Sequence, residues 1–169
     1  MSNYQITSRC TQGSPLHFRW YEEPSSLPGL DLETVLFNFE AIVRAKCEDV
    51  HDQALIMAQA EIRNRIERAC AGTLRSTHHI KWIDKNNLPP IFEMRWQGIT
   101  LSTIGSHASK RFHTLLVRMY YSEPGSNPDY FIGHNIHEKK FDDPERTKIL
   151  QNKEIQIARD HCKAGQESN

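Results

Sequence analysis

The feature that most constrains this chain is a change of period. Between Leu32 and Ala69, apolar residues recur every three or four positions; between Ile91 and His137 they recur every two. The first rhythm is that of helices with one buried face, the second that of strands whose side chains alternate across a sheet. Leu32, Val35, Leu36, Phe39, Ile42 and Val43 form one helical stripe, and Leu55, Ala58, Ile62, Ile66 and Ala69 a second. These stripes predict helices over 31–47, with Asp31 as N-cap, and over 50–71, stopped by Gly72. In the alternating part, "HHIKWID", "IFEMRW", "RFHTLLVRMYY" and "DYFIGHNIH" read as strands, and "PLHFRWYEE" (Pro15 to Glu23) reads as an earlier one. The turns "KNNLPP" and "EPGSNP" are too short for crossover helices, so the meander is antiparallel. "QGITLSTIGSHASK" (97–110) reads as a long hairpin loop, and Asp143-Pro144 as the start of a last helix.

The expected fold is therefore α+β: a twisted antiparallel sheet with two N-terminal helices packed on one face and a C-terminal helix. The other sheet face is expected to be partly open. The 169 residues fit one domain, with 1–14 and 164–169 as flexible tails. Phe92, Met94, Trp96, Leu115, Val117, Met119, Ile132 and Ile136 are the expected core of the sheet.

Lysines and arginines equal aspartates and glutamates in number, 21 of each. That balance argues against strong non-specific attraction to nucleic acid or membrane, and leaves room for a local basic patch. There is no apolar leader and no apolar run long enough to span a bilayer. The four scattered cysteines lack metal or redox spacing and read as free thiols. The expected location is the cytoplasm.

The same alternation sorts the polar residues. Arg95, Arg118, Tyr120 and His137 fall on the non-core face of three neighbouring strands, and Lys139 continues that parity. Arginine presents a planar fork that matches phosphate oxygens, and histidine exchanges a proton near neutral pH. Such a set can cleave RNA without metal: one group takes the 2′-OH proton, the arginines stabilise the phosphorane, and another group protonates the leaving oxygen. A solvated face with Arg95 and Arg118 paired to Glu93 and Glu123 explains the same pattern about equally well. His134 and His137, three apart on a strand, point to opposite faces, and no metal-binding motif accompanies them.

Four stretches carry a resemblance to a known family: "IFEMRW", "HTLLVRMYY", "YFIGHNIHEKKF" and "KEIQIARDHC". Over about 78–162 the chain resembles the RelE/ParE superfamily of toxin-antitoxin toxins, closest to its HigB-like branch. That resemblance implies a toxin that cleaves mRNA, usually at the ribosome, without metal or cofactor. Its partners would be mRNA, the ribosome and a cognate antitoxin, here a small helix-turn-helix protein, with no membrane partner. Arg95 and Arg118 match the family's strand arginines, and Lys139 and Lys140 its basic pair. The expected catalytic groups are Arg95, Arg118, His137 and Lys139, with Tyr120, Lys140 and Arg111 binding substrate. A ParE-like inhibitor of DNA gyrase that cuts nothing, and a degenerate relative that only binds a partner, share the same fold expectation.

Overall fold

The structure is a computed structural model, and it describes residues 7–21, 31–47, 49–84, 89–104, 110–140 and 143–167. Helices α1 (Asp31–Lys46) and α2 (Asp52–Cys70) coincide with the two apolar stripes. Asp31 does not act as the expected cap: it begins the helix, and its Oδ1 accepts the backbone N–H of Trp20 at 2.8 Å. α2 is capped instead by His51, whose Nδ1 accepts the N–H of Gln53 at 3.3 Å. Gly72 follows α2 at φ +67, where a Cβ would meet the backbone N of Gly13 at 2.7 Å. Only glycine satisfies both conditions. A short helical turn, α3 (Ser76–His79), leads into the sheet.

The sheet contains β1 (His17–Trp20), β2 (Ile80–Asp84), β3 (Ile91–Ile104), β4 (Lys110–Ser122) and β5 (Tyr130–Glu138) in the order β1-β5-β4-β3-β2. β2 to β5 form the antiparallel meander, whereas β1 pairs in parallel with β5, His17 opposite Tyr130. Residues 97–104, expected in a loop, belong to β3. Ile99, Leu101 and Thr103 alternate there as buried positions, after a bulge at Gly98, φ +90.

α1 and α2 pack on one sheet face over Phe92, Met94, Trp96, Val117, Met119, Tyr121, Phe131 and Ile136. One expected core residue fails: Ile132 is half-buried, and Phe131 takes its place. The cause is a bulge in β5. Met119 pairs with Ile136 and Tyr120 with Asn135, but Tyr121 pairs with Gly133, so His134 is the extra residue. An extra residue reverses the alternation on its N-terminal side. His134 therefore joins His137 on the second face rather than opposing it, and its Nε2 meets Ser122 Oγ at 2.7 Å.

That second face is not open along its length. α4 (Pro144–Glu167) crosses it, with Ala158 packed among Ile91, Tyr120 and Ile155. Asp143 caps α4, its Oδ1 accepting the N–H groups of Glu145 and Arg146 at 2.9 and 3.1 Å. The C-terminal half is anchored by buried Ala158 and Cys162, and His161 Nδ1 lies 2.8 Å from the carbonyl of His134. All four cysteines are free. Among the described residues, no helix is long and apolar enough to cross a membrane.

Candidate functional site

Strand register sets the polar residues of the second face in two rungs. Arg95, Arg118 and His137 stand opposite one another across β3, β4 and β5; Glu93, Tyr120 and Asn135 form the adjacent rung. Arg95, Arg118, Tyr120 and His137 thus share one face, as alternation predicts, because the β5 bulge lies before Asn135 and leaves Asn135 to His137 in phase.

Glu93 is the centre of the group, and it is buried. Its Oε1 accepts from Arg95 Nε at 2.7 Å and lies 3.5 Å from Arg118 Nε. Its Oε2 accepts from the Tyr120 hydroxyl at 3.3 Å and from Gln151 Nε2 of α4 at 3.5 Å. A carboxylate has about four lone-pair sites. With these four donors around it, Glu93 serves as an anchor for two guanidinium groups rather than as a proton acceptor.

Arg118 is 6% exposed, and its Nη1 donates to the carbonyls of Val117 and Trp96 at 2.9 and 3.3 Å. Burial lowers its pKa, and Glu93 opposes that shift. It is therefore not the solvated surface arginine that one arm of the sequence reading allowed, nor does it pair with Glu123. Glu123 instead accepts from Ser8 Oγ at 2.5 Å and from the Arg9 N–H at 2.9 Å. Arg95 is half-buried.

Tyr120 is fully buried, and its ring stacks on His137 with centroids 5.1 Å apart. Burial, then Glu93, raises its hydroxyl pKa. Its role is to support the histidine; it offers no exposed face on which a base can stack. His137 Nδ1 is shut off from solvent and has no hydrogen-bond partner among the described residues. Burial lowers the His137 pKa from 6.5; Glu154 and Glu93 pull it back up, and Arg118 pushes it down.

Beneath the first turns of α4 lies a cavity of about 110 Å³, lined by Arg118, His137, Lys139, Lys140, Gln151 and Glu154 among others. On the outer side of His137 an open groove of about 520 Å³ runs between α1 and α4, past Lys46, Lys140 and Glu154. It exists because β1 pairs with β5 only as far as Gly133, leaving the outer edge of the last β5 residues uncovered by a strand. Lys46 Nζ pairs with Glu138 at 2.8 Å on its floor. The cavity is too small for a nucleotide, whereas the groove falls in the usual range of ligand sites.

Lys139 and Lys140 follow β5 and line the cavity, the Lys139 N–H tied to the Leu116 carbonyl at 2.7 Å. Arg111 does not belong to the group. It pairs with Thr103 at the far end of the β3–β4 hairpin, seven residues from Arg118, or about 24 Å along the strand.

Three participants escaped the sequence reading: Asn135, Gln151 and Glu154. Asn135 Nδ2 donates to Glu154 Oε2 at 2.5 Å. The signal for the α4 pair was present, since Gln151 shares a helical stripe with Ile155, Ala158 and Cys162, and Glu154 borders it. Among the described residues, no three His, Cys, Asp or Glu side chains are grouped as a metal site. Neither protein-family models, nor curated proteins, nor solved structures provide a match to this chain.

Proposed function

We propose that the chain is a ribonuclease toxin of the RelE/ParE type, cleaving mRNA by attack of a ribose 2′-OH on the adjacent phosphate. The observation that carries this reading is the rung Arg95–Arg118–His137, with Glu93 holding both arginines beside the histidine. RNA would lie in the groove between α1 and α4, its backbone meeting Lys140, with Lys139 in the adjoining cavity on the inner side of His137. His137, kept neutral near pH 7 by burial, takes the 2′-OH proton. The 2′-oxygen attacks phosphorus, and the guanidinium groups offset the charge that builds on the phosphorane. The Lys139 ammonium gives a proton to the departing 5′-oxygen. The products are a 2′,3′-cyclic phosphate and a 5′-hydroxyl end, so no water and no metal enter the balance of this step. The reading entails the ribosome as the place of encounter with mRNA and a helix-turn-helix antitoxin as the cognate inhibitor.

The test is to incubate the purified chain with a synthetic RNA in buffer containing EDTA and to analyse the new ends. Cyclic phosphate ends are expected, and a 2′-deoxy substitution at the cleaved position should abolish the cut. Cleavage that persists on the deoxy substrate, or only after a divalent ion is added, overturns the mechanism. Growth arrest on expression without any new mRNA ends would favour the gyrase inhibitor instead.

A further inference from the structure

α4 does more than cover the second face. It brings a carboxylate to the space that the histidine lines. Asn135 and His137 lie two residues apart on the same face of β5, and the Asn135 amide holds Glu154 Oε2 at 2.5 Å. Glu154 and His137 line both the inner cavity and the outer groove, so the two side chains bound the same space. The Tyr120 ring stacks on the imidazole, and Arg118 stands beside it in the rung. Glu93, another carboxylate near the ring, is occupied by Arg95, Arg118, Tyr120 and Gln151, and Glu138 is paired with Lys46. Among the described residues, Glu154 is thus the carboxylate near the ring that no cation holds.

We propose that Glu154 is a positioning residue, fixed by Asn135, that acts through His137 and stabilises the imidazolium formed when the ring accepts a proton. The inference rests on the ribonuclease reading for its catalytic meaning, but the electrostatic coupling across the shared space is a property of the free protein. A buried imidazole gains a proton at a cost when a guanidinium stands next to it, and a nearby carboxylate offsets that cost. The charged or titratable groups around the ring are Glu93 and Arg95 on β3, Arg118 and Tyr120 on β4, Glu138, Lys139 and Lys140 at the end of β5, Lys46 on α1, and Glu154 on α4. The causes of the His137 shift point the same way: after burial itself, Glu154 is the largest influence, and it raises the pKa.

The test is Glu154→Gln, which keeps the shape and can still accept from Asn135. Imidazole NMR of the whole protein, with His137 assigned by His137→Asn, reads the ring directly. The His137 pKa is expected to fall by about one unit. Cleavage should then lose about tenfold at its plateau, the rate equivalent of one pKa unit. Its acidic limb should move to lower pH, because the base stays unprotonated further down. A merely structural loss would lower the plateau without moving the limb. Asn135→Ala, which frees Glu154, should give a smaller shift of the same sign. An unchanged His137 pKa in Glu154→Gln overturns the proposal, whatever the protein does to RNA. A shifted pKa in a protein that cleaves no RNA supports the Glu154–His137 coupling and overturns the ribonuclease reading.

Discussion

The two faces of the sheet are built from the same strands and obey opposite rules. On the α1–α2 face, Phe92, Met94, Trp96, Val117 and Met119 pack against apolar side chains; the polar contacts are at Trp96, whose indole N–H donates to the Glu61 carbonyl at 3.1 Å and whose ring lies 5.8 Å from the Arg65 guanidinium. On the α4 face, the residues between them are Glu93, Arg95, Arg118 and Tyr120, the last three each paired with Glu93. The first face gains its stability from apolar burial, which is non-directional and tolerant. The second trades stability for placement, since a buried arginine, a half-buried one and a buried carboxylate repay their desolvation only when every bond is made.

Variants can break this comparison. The largest effect is expected for Phe92→Ala on the apolar face, a loss of about 4 kcal/mol by cavity formation. Urea unfolding measures it, and a loss below about 1 kcal/mol would mean the face is loosely packed.

Next comes Arg118→Ala, expected to cost about 3 kcal/mol because it leaves Glu93 buried with one guanidinium fewer. The contrast lies in the double variant. Replacing Glu93 and Arg118 together by methionine should restore much of that stability while abolishing cleavage. If the double variant is as unstable as the sum of the single ones, the network is a structural staple and the comparison fails.

A smaller effect per pH unit comes from buried His134 and the partly buried His79 and His137. Burial lowers the His134 pKa to about 3 and that of His79 to about 4, and His137 moves in the same direction. Their folded pKa values lie below the ordinary 6.5, so the unfolded chain binds the extra protons. Stability is full above about pH 6.5 and falls as pH drops toward 3, with buried His134 contributing about 1.4 kcal/mol per unit. His134→Phe should remove about one proton from that slope. An unchanged slope would place His134 in water. The smallest effect is expected for Phe112→Ser, at an exposed position on the hairpin: within about 0.5 kcal/mol by thermal melting.

What the sequence disclosed follows from period. The helical stripes located α1 and α2, and alternation from Ile91 onward assigned Arg95, Arg118, Tyr120 and His137 to one face. What it hid has local causes. The His134 bulge has Gly133 beside it, a local mark that strict alternation passes over, so Phe131 and Ile132 were assigned to each other's faces. The polar threonines and serine of 97–104 masked a strand whose alternate residues, Ile99, Leu101 and Thr103, are buried. The parallel pairing of β1 depends on residues more than a hundred positions away, which no local pattern reports. The depth of the site was also hidden: parity says which face a residue takes, but only the placement of α4 decides that Arg118 and Tyr120 are covered.

That distant pairing has a consequence in time. His17 meets Tyr130, and Trp20 meets Gly133, so 113 residues separate each pair. During synthesis at about 5–20 residues per second, β1 therefore waits roughly 6–23 s for its neighbour to be made. Phe18 and Trp20, which pack against the core in the finished protein, spend that interval without it. A nascent chain halted before Tyr130 should expose β1 to protease, and one halted well beyond Glu138 should protect it. The sheet closes last at the strand made first, which makes this edge the one on which a holding chaperone would act.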